Sequence, residues 1–402
     1  MTAFSLPLAV VPAQAAAAGQ DLTASSLLAT VFLAGIVAGE LGAAAVIGRI
    51  GTRAAVIAGL VLLGVPSLVV AVSSDVGIWA ACGAVRGLGF ALVIIATAAI
   101  VAAGAGDDRL GAELGWYGVA AGLPSIVALP FGLQLGQAVG FWAVHLLAAA
   151  AALAALGGAV ALPGRSRRGD DTVATSDAAA RRSGDPGRAG LRTMLRSPRA
   201  IALAAALAAG AATNGVFVVL VPLGGTGDGA DVLALLALAV GAPAGRVVAG
   251  RIGDRIGPAV LIAPSLATCG GGLALSASGG MHALFVLGAC AAGFGFGAVQ
   301  NSTLQALCSD RPLGELAAAS ALWNLAYDLG LAIGTVAFAL LAAITAPATG
   351  AAIVGTLLVV SVVVASVTVA VGGGRSRRGL AALRRREEVA SVSGNEAETS
   401  GA

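Results

Sequence analysis

Long apolar runs recur from one end of this chain to the other. They can be drawn over 3–18, 22–47, 54–72, 77–103, 113–135, 140–162, 199–223, 231–249, 259–278, 281–305, 315–345 and 347–371, twelve in all. About 20 apolar residues in a helix match the hydrocarbon core of a bilayer. There, every backbone N–H and C=O must be bonded inside the spanning structure, which permits helices or closed barrels. Few residues alternate at period two, as a barrel strand would require. The expected class is therefore an all-α membrane protein. Composition agrees: 58% of residues are hydrophobic and 11% charged, against about 25% charged in a soluble domain.

Arginine supplies the orientation. The chain has 23 basic residues and every one is arginine. The connections after spans 2, 4, 6, 8 and 10 and the C-terminal tail hold 21 of them, and the other two, Arg86 and Arg246, lie inside spans. The opposite connections carry Asp21, Asp75, Asp228 and Asp231 and no arginine. By the positive-inside rule both termini are expected in the cytoplasm. Segment 163–198, rich in Arg, Asp, Gly, Ser and Pro, is expected as a cytoplasmic linker too polar to bury a core, with a short basic helix over Arg192–Arg199 at the membrane surface. Segment 372–402 is expected as a disordered tail. No aromatic residues interleave with these basic clusters, so lipid headgroups, not nucleic acid, are the expected contact.

The chain repeats itself. At an offset of 206 residues Leu60 meets Leu266, Gly64 meets Gly270, Gly87 meets Gly293, Gly89 meets Gly295 and Phe90 meets Phe296. At an offset of 202 Asp108-Arg109 meets Asp310-Arg311, Glu113 meets Glu315 and Gly132 meets Gly334. Two like-oriented halves of six spans each, 1–162 and 199–371, imply a pseudo-two-fold axis along the membrane normal. One bundle can then rock against the other around a midplane site. Aligning Val11-Pro12 with Val221-Pro222 puts the matching start of the first span before residue 1, so that span is expected to be clipped.

Between spans 8 and 9 the chain reads Gly245-Arg-Val-Val-Ala-Gly250-Arg-Ile-Gly-Asp254-Arg255-Ile-Gly257, charge and glycine packed into what reads as a short turn. A weaker copy ends in Arg49-Ile50-Gly51, with Gly48 opposite Asp254. Gly250 to Gly257 resembles the loop signature of the major facilitator superfamily, in its glycines, its aspartate and its first arginine. Arg86-Gly-Leu-Gly89 resembles a compressed form of a second signature, Gly118-x-x-x-Gly122-Leu-Pro124 loosely resembles an exporter signature, and the stretch around Asp328 resembles bacterial drug-exporter-like members. The resemblance implies a bacterial plasma-membrane transporter working with no cofactor. It implies that Arg86 is linked to proton transfer, and that Asp254 touches the start of span 5, near Glu113 to Gly115. It also implies a cavity lined by spans 1, 4, 7 and 10.

Within spans, Glu40, Arg86, Arg246 and Asp328 are ionisable, each costing about 2.5–3.5 kcal/mol at mid-membrane on insertion scales unless paired or hydrated. Arg86 and Asp328 are read as proton-coupling candidates, with structural pairing as the alternative for both, and Glu40 is carried with them. Glu40 and Arg246 are equivalent in the repeat, and their opposite signs point to gating or interface contacts between halves. Arg49, Gly51, Gly250, Asp254, Arg255, Gly257 and Arg246 make the expected gating region. Gln14, Asn214, Gln300, Asn301, Asn324 and Tyr327 are the expected polar lining of a cavity otherwise built from Ala, Val, Leu, Ile and Phe. His145 is read as a packing residue. Cys82, Cys269, Cys290 and Cys308 lack metal or redox spacing and read as small apolar packers.

Such a lining suits an amphiphilic small molecule. It lacks the arginine clamp that organic phosphates call for, and at 4% aromatic residues it is thin for a sugar site. No nucleotide-binding loop, metal set or nucleophile–base pair is present in the sequence. The expectation is thus not an enzyme but a monomeric secondary transporter using a small-molecule substrate and protons, exporting amphiphilic compounds by antiport. Uptake of a small metabolite, or a sensor that transports nothing, are the alternatives.

Overall fold

The computed structural model describes residues 1–19, 22–106, 108–162, 186–223, 230–277, 281–309, 311 and 313–360. The tail 372–402, linker residues 163–185, Asp21, Asp228 and Asp310 lie outside them. The described residues form helices and no strand: α1 (Thr2–Ala17), α2 (Leu22–Ile50), α3 (Thr52–Val72), α4 (Val76–Gly104), α5 (Leu110–Ala138), α6 (Phe141–Ala161), α7 (Pro186–Arg196), α8 (Pro198–Leu223), α9 (Ala230–Ile256), α10 (Pro258–Ser276), α11 (His282–Cys308), α12 (Leu313–Ala342) and α13 (Pro347–Val360). Among the described residues nine helices are long and apolar enough to cross a membrane. Leu33, Val61, Val65, Val240, Ile333 and Leu340 face outward from the bundles, as lipid-facing side chains do.

Helices α1–α6 form one bundle and α8–α13 the other, and the contacts within each repeat. Helix α2 packs on α4 as α9 packs on α11; α3 packs on α4 as α10 on α11; α1 packs on α5 as α8 on α12. The glycine matches sit at these crossings with equivalent partners. A Cβ on Gly39 would meet Leu88, and one on Gly245 would meet the backbone of Phe294, its equivalent 206 residues on. A Cβ on Gly87 would strike Phe32, and one on Gly293 would strike Leu238, again 206 apart. Without a hydrophobic force between helices in lipid, close backbone approach through small residues supplies the packing. The repeat is therefore a repeat of contacts and not of composition alone.

Two sequence expectations are corrected. The stretch to Gly257 is mostly helix: α9 runs to Ile256, and the chain turns at Gly257, with φ +89°. Gly51 makes the matching turn, φ +86°, so Arg49 and Ile50 are also helical. Both glycines hold a left-handed backbone that a side chain would strain. Pro258 follows as the first residue of α10, where a missing N–H costs nothing. The sequence reading stopped the helices where the apolar residues stop, whereas the helices continue past the hydrocarbon and place charged side chains on neighbouring helices.

The short basic helix expected over Arg192–Arg199 is present as α7, Pro186–Arg196, and it rests on the bundles. Helix α7 packs against α2, α12 and α8, so it touches both bundles. Met194 is fully buried, Gly190 lies against Ala318, and Arg192 and Arg196 are exposed. Leu191 and Met194, three residues apart, form one apolar face that rests on the bundles rather than on lipid.

Candidate functional site

The bundles meet through α5 against α9 and α11, and through α12 against α2 and α4. Three polar clusters occupy these seams, each in the helix halves nearer the arginine-rich connections.

The first caps a helix from the other bundle. Helix α5 starts at Leu110, and its own N-cap, Arg109, supplies no side-chain acceptor. Asp254 of α9 takes that place. Its Oδ1 accepts the Gly111 N–H at 2.6 Å and its Oδ2 the Ala112 N–H at 2.8 Å. These are the donors an N-cap side chain satisfies, and the carboxylate stands at the positive end of the helix dipole. Gln305 of α11 donates Nε2–H to Asp254 Oδ1 at 2.8 Å, and Asn301 donates Nδ2–H to the Gly111 carbonyl at 3.1 Å. Gly250 lets α9 come this close, since a Cβ there would strike Gly111. Arg251 adds a cation over the Trp116 ring of α5, 5.8 Å from its centroid. Asp254 thus meets Gly111 and Ala112, two residues earlier than Glu113. Those first-turn groups instead form i,i+4 ion pairs, Arg109–Glu113 at 3.5 Å and, at the equivalent place in α12, Arg311–Glu315 at 3.0 Å. Arg255 is exposed at the end of α9.

The second cluster surrounds Arg246. Its Nε–H donates to Gln300 Oε1 at 2.7 Å, and its guanidinium lies 5.6 Å over the Trp323 ring. It reaches across to α5, where it fills the space a side chain on Gly118 would take. Trp323 Nε1–H bonds the Gln300 carbonyl and Thr303 Oγ1, both at 3.1 Å, and Tyr327 stacks on Trp323 with centroids 6.1 Å apart. Across the seam, Tyr117 donates to the Ile94 carbonyl at 3.0 Å and lies 3.2 Å from Thr97 Oγ1.

The third cluster joins α2 to α12. Glu40, 1% exposed, lies close to the half-buried Asp328 across this seam. Glu40 Oε2 has no hydrogen-bond partner among the described residues. The repeat aligns Glu40 with Arg246, but the structure pairs neither with the other.

The expected cavity lining divides among different places. Gln300 and Tyr327 belong to the Arg246 cluster. Asn301 belongs to the Asp254 cap rather than to a cavity wall. Asn324 donates back to the Ser320 carbonyl of its own helix at 2.8 Å and so is spent locally. Asn214 is half-buried on α8. Gln14 faces α6, where His145 Nε2–H donates to its Oε1 at 2.7 Å. His145 is thus a buried packing residue with Gln14 as its hydrogen-bond partner. Arg86, 3% exposed, lies near this pair and away from the seams. Sequence reasoning missed Gln305, Arg251 and Trp116. The signal for Gln305 was its position one helical turn after Asn301, which puts both amides on one face.

Two similar six-helix bundles, joined by polar seams and close glycine crossings, make the fold of a polytopic membrane transporter. The sequence matches the family model described as Major Facilitator Superfamily over residues 1–335, and the chain belongs to that family. No curated protein matches its sequence. Solved structures with the same fold include the Escherichia coli fucose:proton symporter FucP, with 17% identity, TM-score 0.66, and coverage of 90% of this chain and 94% of that one. The proton:xylose symporter XylE, bound to 6-bromo-6-deoxy-D-glucose, has 16% identity and TM-score 0.67 over 90% and 92% of the two chains. The human organic anion transporter MFSD10 has 16% identity and TM-score 0.64 over 90% and 95%.

Proposed function

We propose that this protein is a proton-coupled secondary transporter that works by alternating access and exports small amphiphilic compounds by antiport. The observation that carries the reading is the juxtaposition of Glu40 and Asp328 across the seam between bundles. With the arginine-rich side closed, two carboxyls side by side cannot both carry charge cheaply, and they hold one proton between them. When the bundles part on that side, the pair separates, each carboxyl meets water, and the proton is free to leave. Closure and proton occupancy are then linked, because a ligand that prefers one state shifts the equilibrium toward it. The arginine-rich face, with both termini, is placed in the cytoplasm of a bacterial cell.

The Asp254 cap and the Arg246 cluster serve as the gate on that face. Both are satisfied with the bundles together; opening leaves the Gly111 and Ala112 N–H groups without their acceptor and draws Arg246 off Gly118 of α5, while Gln300 and Trp323 stay with it in its own bundle. Gln300, Tyr327 and Asn214 are the cavity residues proposed to meet solute.

Uptake by symport is the second reading. The fold neighbours FucP and XylE are named as sugar symporters, and the same carboxyl pair would serve either direction. The few amides and aromatic residues near the seams favour an amphiphile over a sugar.

Proteoliposomes with an imposed pH gradient and an internal pH dye test the proposal. A solute found by thermal stabilisation of the purified protein is added and proton movement is followed. Antiport and symport give proton flux of opposite sign. Glu40→Gln and Asp328→Asn are expected to abolish solute-driven proton flux while solute exchange at equal pH persists. Unchanged coupling in both variants would refute the role given to the pair.

A further inference from the structure

Inside the first bundle, away from the seams, lies a narrow pocket bordered by Val11, Gln14, Phe32, Trp79, Arg86 and His145. Trp79 Nε1–H bonds the Ser73 carbonyl in the turn between α3 and α4. The pocket therefore lies toward the face opposite the arginine-rich connections. Its free space is about 30 Å³, two to three times the roughly 10–15 Å³ that one water needs.

Arg86 has five N–H donors. In the described structure it uses one, from Nη2 to the Ala3 carbonyl at 3.3 Å, and its Nε–H has no partner. Its guanidinium lies 5.7 Å over the Phe32 ring. No described carboxylate neutralises it. Those of this bundle lie elsewhere: Glu40 beside Asp328, Asp75 as the N-cap of α4, Glu113 with Arg109, and Asp108 exposed in the turn before α5. A buried cation without a counter-charge is costly, and a bidentate anion is what relieves it. Beside it, the His145–Gln14 bond uses the Gln14 carbonyl and leaves its NH₂ as a second donor. His145 is fully buried and its Nδ1 is without a partner.

We infer that this pocket binds the carboxylate of an amphiphilic organic anion. Arg86 is the counter-charge, Gln14 the second donor, and Val11, Phe32 and Trp79 the wall for the apolar body. A planar carboxylate matches one guanidinium edge and the small space. A doubly charged phosphate would ask for more cations than the single arginine here. The inference goes beyond the transporter reading: the site lies apart from the residues proposed to meet solute, and it does not require the bound anion to be the transported compound.

The test is an equilibrium titration of the purified full-length protein in detergent with benzoate, benzamide and chloride, read by tryptophan fluorescence and apparent melting temperature. Saturable benzoate binding is expected, with no response to benzamide, which has the same size and no charge, and none to chloride. Arg86→Gln should raise the benzoate Kd at least about tenfold, as loss of a charge-assisted bond does. Gln14→Leu should raise it a few-fold. If Arg86→Gln does not fold, the Gln14 variant and the benzoate–benzamide comparison decide. Absent benzoate binding, equal responses to benzoate and benzamide, or unchanged Kd in the variants would overturn the site. A chloride response equal to that of benzoate would overturn the organic ligand. No gradient is imposed, so failure here leaves proton coupling standing, and failure of coupling in proteoliposomes leaves this site standing.

Discussion

Asp254 shows how much a single carboxylate does at a helix start. It replaces the cap that α5 lacks and accepts two backbone N–H groups and the Gln305 amide. Hydrogen bonds to a charged group contribute about 1.5–3 kcal/mol each. Asp254→Asn keeps the shape and loses the charge. Its transport rate is expected to fall about tenfold with expression and membrane insertion unchanged, measured by proteoliposome flux and size-exclusion profile. Wild-type flux in that variant would remove the cap from the gate. The sequence had named Asp254 and its target helix, because the loop signature carries both. It did not name Gln305, or the pairing of Glu40 with Asp328. The repeat relates Glu40 to Arg246 by symmetry, and symmetry says which residues are equivalent, not which ones face each other across a seam.

Helices in this protein are organised by where they lack side chains. Gly245 and Gly297 of the α9–α11 crossing would each drive a Cβ into opposing backbone. Gly245→Leu is expected to cost at least about 1–3 kcal/mol, as overpacking does, and to lower the apparent melting temperature by several degrees. Gly271 of α10 has open space around it, so Gly271→Ala should leave the melting temperature within error. Equal effects from the two substitutions would mean that close crossing is not what these glycines provide. The long elements were legible in the sequence to within a few residues wherever apolar residues ended at a turn, as at Val72 before Ser73. They were misread at Arg251–Ile256, and the helix expected over Arg192–Arg199 runs over Pro186–Arg196. In both places helices run through charged sequence, and tertiary contacts, not hydropathy, decide their ends.

For the assembled molecule, the seams described here close the arginine-rich side. Joining them covalently should therefore hold one state. Trp116→Cys with Arg251→Cys places thiols where α5 and α9 now touch through ring and guanidinium. A short bifunctional thiol reagent is expected to link them and to stop transport, and a cleavable version should restore it on reduction. Each single-cysteine variant should tolerate the reagent. Continued transport in the linked protein would show that this seam need not open. The two-bundle plan was legible from the order of matched residues along the chain. The state of the seams was not, because it depends on contacts between halves that no internal repeat encodes.

Gly48 stands where the first repeat has no counterpart to Asp254. An ancestral unit copied faithfully would hinge alike on its two flanks. This one does not: along α5 it is fastened by one carboxylate set on backbone N–H groups, while along α2 its fastening is a pair of acids facing each other. On the proposed reading, one flank sets how firmly the molecule stays shut and the other decides when it lets go. The two properties can then drift apart under mutation without either one spoiling the other.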